Sequence, residues 1–346
     1  MRGGGLGLES WIMDARFALR GLRKRPQYVL LSVLTLALGI GGTTAIFGIA
    51  RAVLLTPLPY RQSEELVEFW NTFDWSEAEL VYMRPDWSGF AKVAGYRTED
   101  VFLRIEGAPA RLVPGIATSA ELFDVLGTRP MLGPGFEPGS DAEAAEPTAV
   151  LSYGLWQEMG GNRDIIGKSM PLDGMSRRIV GVMPKGFWFP DPSIRVWLSQ
   201  QLRPQNRSGN YALVGRMTPG RSAATMTDPL RMITTRLGAQ FQYPPQWDKT
   251  KNAQLTPLRD YLLGPVRPAL LATLAGMAVI LLMACANVAT LMLAQLRGRS
   301  SELAVRVAIG AGRRRLTQQL IVESFVLALL SGVAGAGDRR SEGHWR

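Results

Sequence analysis

Apolar positions in this chain fall into two kinds of pattern. From Tyr28 to Ala50 and from Pro268 to Leu296 the sequence runs without a single charged residue. Between these blocks, from Thr56 to Arg267, apolar and polar positions alternate over short distances, as in a folded water-facing domain. A 23-residue helix at about 1.5 Å per residue is long enough to cross the roughly 30 Å hydrocarbon layer of a bilayer, so the first block predicts a membrane helix and the second block another. The first is longer than the roughly 7 to 15 residues of a signal-peptide core, despite the small-x-small step at Ala50-Arg51-Ala52. A third apolar run begins near Leu320 but is broken by Glu323 and leaves only Ser324 to Gly337 uncharged.

Within the middle segment, Glu65–Trp70, Val101–Ile105, Ala110–Ile116, Thr148–Tyr153, Arg177–Met183 and Arg195–Leu198 read as short strands bounded by Gly, Pro and Asp. Asp173-Gly174 between two β-type runs predicts a tight hairpin. Ser76 with Glu79, and Thr118 with Glu121, have capping-box spacing, and Gly127 ends the second of those helices. After Asn210 come a strand (Tyr211–Arg216), a helix (Ala223–Gln240) and a Pro-rich return, which suggests a change of subdomain near 205–210. The expected fold class is therefore α+β: a membrane protein with helical transmembrane segments and a large mixed α+β extracytoplasmic domain inserted between the first and second helices.

The charge distribution sets the orientation. The chain carries 39 Lys and Arg against 29 Asp and Glu, but residues 56–267 hold 23 of each sign, so the whole surplus of +10 lies beside the apolar blocks. Arg16, Arg20, Arg23, Lys24 and Arg25 precede the first block, and Arg297, Arg299, Arg306 and Arg313–Arg315 follow the second. Basic residues beside a span stay in the cytoplasm, which places the middle domain outside, in the periplasm. The same distribution argues against a nucleic-acid partner, because no folded segment carries the excess. Trp11–Arg25 alternates aromatic and aliphatic residues with Arg at near-helical spacing, as in a helix lying on the inner leaflet.

Candidate chemistry is sparse. One Cys (Cys285) and one His (His344) leave no disulfide framework, Cys/His metal site or histidine-based catalysis, and neither a cofactor nor a catalytic residue is expected. Gly161–Ser169 resembles a phosphate loop but has five residues between its glycines instead of four, and reads as a turn leading into a strand. The acidic stretch Glu137–Glu146 lacks calcium-loop spacing and reads as a solvated loop. In the spans, Ala37, Gly41 and Ala45, and Ala286, Thr290 and Ala294, place small side chains on one helix face where another helix can approach. Asn287, deep in the second span, is expected to hydrogen-bond to a neighbouring helix.

Three separated motifs carry a resemblance to a known family. ARFALRGLRKRP followed by LTLALGIGGTTAIFGIARAVLLTPLPY, then DIIGKSMPLDG with RRIVGVMP, and finally RGRSSELAVRVAIGAGRRRLTQQLIVESFVLALLSG are similar, in this order, to ABC-transporter permeases of the MacB/FtsX type, in particular the duplicated-permease group. The resemblance spans about residues 13–335. It implies a permease subunit served by a separate ABC ATPase, a second permease copy as a homodimer or pseudo-dimer, an inner-membrane location, and export or transmembrane mechanotransmission. It also implies a cytoplasmic coupling helix at Ser301–Ile309, with Ser301, Glu302, Val305, Arg306 and Ile309 facing the ATPase. On this reading the chain divides into 1–27 (amphipathic cytoplasmic segment), 28–55 (first span), 56–267 (periplasmic core), 268–296 (second span), 297–319 (coupling segment), 320–337 (incomplete third span) and 338–346 (polar tail). The tail GDRRSEGHWR departs from the family pattern and reads as truncation or frameshift. The alternatives are a membrane-anchored receptor or regulator of a cell-envelope process, or a non-functional fragment.

Overall fold

The structure, a computed structural model, describes residues 26–54, 56–70, 74–87, 89–104, 109–248, 251 and 253–297. It divides into two compact units: one contains both long apolar helices, and the other runs from Pro57 to Pro265. The amphipathic N-terminal stretch, the coupling segment with Ser301, Glu302, Val305, Arg306 and Ile309, and the third apolar run lie outside the described residues.

In the first unit, helix α1 spans Pro26–Leu54 and helix α7 spans Arg267–Arg297. Both helices are apolar on every side rather than on one stripe, and their large side chains are exposed, with Leu38 at 74% and Leu282 at 68%. A helix of this kind in water would expose a continuous apolar surface, so its medium is hydrocarbon.

The second unit is built on a mixed nine-stranded sheet in the order β3-β7-β4-β6-β5-β2-β8-β1-β9. The strands are β1 (Leu66–Trp70), β2 (Phe90–Leu103), β3 (Arg111–Thr118), β4 (Thr148–Leu151), β5 (Ser169–Leu172), β6 (Met175–Val182), β7 (Val196–Ser199), β8 (Ala212–Met217) and β9 (Gln254–Pro257). An extra β2–β3 pairing closes a circuit through β7, β4, β6 and β5, with β3–β7 and β4–β6 parallel. Alternate positions point to opposite faces. Ala149, Leu151, Ile179, Val196 and Leu198 enter one core cluster, while Val150, Val180 and Trp197 enter another. Both faces of these strands are covered, so they read as short unbroken apolar runs.

The hairpin at Asp173-Gly174 forms as expected, with positive φ at both residues (53° and 73°), the requirement of a two-residue primed turn. Ser76 caps helix α2 (Glu77–Met83) in a complete capping box: its hydroxyl accepts from the Glu79 N–H at 3.3 Å while the Glu79 carboxylate accepts from the Ser76 N–H at 2.7 Å. The second capping box does not form. Thr118 is the last residue of β3 and donates its hydroxyl to the Gly95 carbonyl, so helix α3 (Leu122–Leu126) begins at Glu121 without a side-chain cap. Gly127 closes α3 at φ 66°. Helix α4 (Tyr153–Glu158) follows β4 directly and is capped by Ser152. Gly161–Ser169 is a turn with one short 3-10 segment leading into β5.

Beyond Asn210 the chain returns to the same sheet, because β8 lies between β2 and β1. Helix α5 (Thr227–Phe241) packs Ile233 and Leu237 with Leu80 and Met83 of α2 over Val67 and Phe69 of β1. The short helix α6 (Leu258–Leu263) then places Leu258 in the cluster that contains Leu66 and Trp197.

Candidate functional site

Each unit offers a different kind of site. In the helix unit, α1 and α7 meet through Leu36 and Ile40 on one side and Ala284 and Val288 on the other. Close approach depends on glycine. A Cβ at Gly39 would stand 3.2 Å from the Leu281 methyl, and one at Gly42 would stand 3.3 Å from the Met277 sulfur. The two described helices therefore meet at Leu36, Gly39, Ile40 and Gly42 of α1 and at Met277, Leu281, Ala284 and Val288 of α7. Ala37 and Gly41 are half-buried, whereas Ala45, Ala286, Asn287, Thr290 and Ala294 are exposed. Thr290 turns its hydroxyl back to the Ala286 carbonyl at 3.1 Å, satisfying itself within its own helix.

In the sheet unit, buried polar groups tie distant segments together. Asp141 is fully buried and receives the Arg84 guanidinium, with one contact at 3.2 Å, and the Ala120 N–H at 2.9 Å. Arg84 also reaches Glu121 at 3.2 Å. One side chain at the C-terminal cap of α2 thus fixes the start of α3 and the loop 128–147. This corrects the expectation of a wholly solvated acidic loop: Glu137, Glu143 and Glu146 are exposed, but Asp141 is a buried ion-pair partner.

Glu68 of β1 is buried on the same side of the strand as Leu66. Tyr96 of β2 donates its hydroxyl to Glu68 Oε1 at 3.1 Å, while Oε2 has no hydrogen-bond partner among the described residues. Burial pushes the Glu68 carboxyl well above the usual carboxylate range, with the Tyr96 hydrogen bond opposing the shift. Burial and the neighbouring Glu68 also push the Tyr96 phenol up. At the surface the reverse holds. Hydrogen bonds from Arg195 and Arg111 hold the Glu158 carboxyl below its ordinary value. Tyr243 donates to Glu79, and burial raises its phenol.

A shallow cavity of about 230 Å³ opens beside the acidic loop, lined by Glu137, Ser140, Glu146, Thr148 and Arg178. Arg178 and Glu146 are paired at 2.9 Å. Among the described residues no group of three or more His, Cys, Asp or Glu side chains is arranged to hold a metal ion. What these networks supply is rigidity within the unit: each joins elements far apart in sequence by a geometry that tolerates little displacement.

Residues 29–233, well over half of the chain, match the MacB-like periplasmic core domain. The chain belongs to this family. Residues 274–337 match the FtsX-like permease C-terminal domain, so the two matches follow each other along the chain with α7 beginning the second. This member of the family is therefore a membrane protein carrying a periplasmic core domain. Among curated relatives, Macrolide export ATP-binding/permease protein MacB 2 of Aeromonas hydrophila subsp. hydrophila is 24% identical, with 93% of this chain and 51% of the relative aligned. MacB 1 of the same organism is also 24% identical, over 84% of this chain and 48% of its own length. The chain spans about half the length of these relatives. Among solved structures, the periplasmic region of MacB from Actinobacillus actinomycetemcomitans covers 64% of this chain and 98% of its own, at TM-score 0.43 and 11% identity. The extracellular domain of the noncanonic ABC-type transporter YknZ from Gram-positive bacteria covers 55% of this chain and 99% of its own, at TM-score 0.41 and 11% identity.

Proposed function

We propose that this chain is the permease subunit of an ABC-type transporter, using ATP hydrolysed by a separate ATPase to drive export or transmembrane mechanotransmission. The observation that carries the reading is the order of parts. A helix exposed and apolar all round leads into a periplasmic core, and a second such helix leads on into the FtsX-like permease match. The chain itself contributes no reaction chemistry on this reading.

The two helices cross the inner membrane, residues 56–267 lie in the periplasm, and the basic segment from Arg297 remains in the cytoplasm. Residues 297–319 form the coupling segment, where Ser301, Glu302, Val305, Arg306 and Ile309 contact the ATPase. The exposed face of Ala286, Asn287, Thr290 and Ala294 then accepts further helices of the permease or of a second copy, because a polar Asn287 facing lipid gains from a hydrogen-bonding neighbour. Coupling consists of a difference in contact energy between two global states of the assembly.

The test is capture of the cognate ATPase by the full chain in detergent. Charge reversal at Glu302→Lys and Arg306→Glu is expected to abolish capture while leaving the unfolding of the periplasmic unit unchanged. Equal capture by wild type and the double variant would overturn the coupling assignment. Loss of export on deletion of the gene supports transport, whereas altered cell-wall hydrolysis with export intact supports a regulatory role.

A further inference from the structure

Four carboxyl side chains are buried among the described residues, and one of them is held differently from the rest. Glu77, Glu79 and Asp141 each accept a backbone N–H, from Arg203, Ser76 and Ala120. Glu68 accepts only the Tyr96 hydroxyl, and its Oε2 has no partner among the described residues. Tyr96 in turn is hydrogen-bonded to Tyr261, a half-buried residue of α6 that lies within electrostatic range of the exposed Asp74. Three side chains from β1, β2 and α6 thus form a line of exchangeable protons from the interior to the surface.

Such a line has two polarities. With Glu68 ionised, Tyr261 donates to Tyr96 and Tyr96 donates to the carboxylate. With Glu68 protonated, its own O–H can donate to Tyr96, Tyr96 to Tyr261, and Tyr261 to water. The ionised form leaves a charge with an unsatisfied Oε2 in the cluster of Leu66, Val214 and Leu258, which costs far more than the neutral form. The cations on the same face are already engaged. Arg216 of β8 is held by Glu65 and three backbone carbonyls, and Lys92 of β2 by Asp124. Opposite Glu68 on β8 and β9 stand Val214 and Thr256, which carry no charge. Tyr60, the other phenol of the cluster, holds the loop 184–190 by donating to the Trp188 carbonyl at 2.7 Å. Besides Tyr261, α6 brings the half-buried Arg259 and the exposed Asp260, and neither shifts the Glu68 carboxyl.

The covers over Glu68 differ in strength. β1 is bonded along both edges, to β8 and to β9, so the sheet resists opening there. α6 is the weaker cover, with six residues, no side-chain cap, and a seat made by Leu258 and Leu262. It is also the last element of the sheet unit before the chain enters α7 at Arg267. We propose that Glu68, Tyr96 and Tyr261 form a proton-operated latch on α6. While Glu68 keeps its proton, α6 stays seated. Loss of that proton to water along the two phenols leaves a carboxylate that draws water in and lifts α6 off the cluster. The latch lies wholly within the sheet unit and stands apart from the transport reading.

The test places a nitroxide on Asp260→Cys, in a Cys285→Ser background of the full chain in mild detergent, and follows its mobility from acid to alkaline pH. A parallel sample carries the nitroxide on Met175→Cys, on the exposed β5–β6 hairpin, whose Leu172 belongs to a different core cluster. Infrared absorption of the protonated carboxyl, assigned by its loss in Glu68→Gln, reports the Glu68 proton in the same samples. The 260 label is expected to loosen as that band disappears, while the 175 label stays unchanged. Glu68→Gln is expected to keep the 260 label immobile throughout. Tyr261→Phe keeps the ring but removes a donor that supports the ionised carboxylate, so it is expected to move the midpoint upward by about one pH unit. The latch is overturned if the 260 label loosens equally in Glu68→Gln, or if the band persists at alkaline pH or vanishes without loosening. A Tyr261→Phe midpoint that does not move overturns it as well. So does loosening of both labels together, which is unfolding of the whole unit.

Discussion

The periplasmic unit and the helix pair solve the problem of buried surface in opposite ways. The first covers both faces of strands such as β4 and β7 and ties its loops down with polar groups out of water, such as Asp141 and Glu68. The second buries little: Leu36, Ala284 and Val288 are its only buried cluster among the described residues, and glycine brings the helices together. The first gains stability from removing apolar surface from water, a force that lipid does not provide between helices. In the helix pair, contact geometry therefore matters more than contact area. Substitutions should unfold the periplasmic unit but merely loosen the helix pair.

The largest effect is expected at Trp197, fully buried in the sheet. Trp197→Ala should destabilise by about 3–5 kcal/mol, read as a lower urea midpoint for the periplasmic unit of the full chain in mild detergent. A loss below about 1 kcal/mol would mean the cluster is not the closely packed core described.

Asp141→Ala comes next. It strands the Ala120 N–H and removes the Arg84 partner, but Arg84 is about a third exposed and can rehydrate, so a cost of about 2–3 kcal/mol is expected by the same measurement.

Glu68 gives a pH dependence whose sign follows from its raised carboxyl. The folded state retains a proton that the unfolded state releases, so stability is full below the ordinary carboxylate range and falls as pH rises toward the folded value. The slope of that loss reaches about 1.4 kcal/mol per pH unit for one proton. Glu68→Gln should flatten this part of the profile, and an unchanged profile would remove Glu68 as its source.

Gly39→Leu tests the helix pair, and should cost about 1–2 kcal/mol by overpacking against Leu281. In a Cys285→Ser background, the disulfide yield between Leu36→Cys and Ala284→Cys should drop, while the urea midpoint of the periplasmic unit stays fixed. A shift in that midpoint would break the contrast between the units.

Glu158→Gln should have the smallest effect, below about 1 kcal/mol, because its ion pairs to Arg111 and Arg195 lie at the surface and are partly exposed. Its lowered carboxyl gives a contribution present above the ordinary carboxylate value and lost as pH falls, the reverse of Glu68. Salt should remove it, with thermal unfolding scans at two ionic strengths as the check.

The sequence showed where α1, α7, α2 and the Asp173-Gly174 hairpin lie because each rests on a local signal: charge-free length, a capping box, a turn pair. It missed most of β2, from Phe90 to Asp100, where Lys92 and Gly95 interrupt the apolar alternation and pairing with β8 and β3 supplies what local propensity lacks. It also missed β9, whose residues gain strand geometry by pairing with β1. Thr118 misled because a capping spacing says nothing about whether the cap residue already belongs to a strand.

What the chain determined by itself is its division between lipid and water and the positions of its basic flanks, since transfer free energy and charge act residue by residue along a segment. Only the tertiary structure decided that Asp141 belongs with Arg84, that Tyr60 holds the loop at Trp188, and that α1 meets α7 at Gly39 and Gly42. These depend on which of many chemically similar groups are brought within contact distance. That choice is made by the sheet closing and the helices packing, over separations that no local pattern spans.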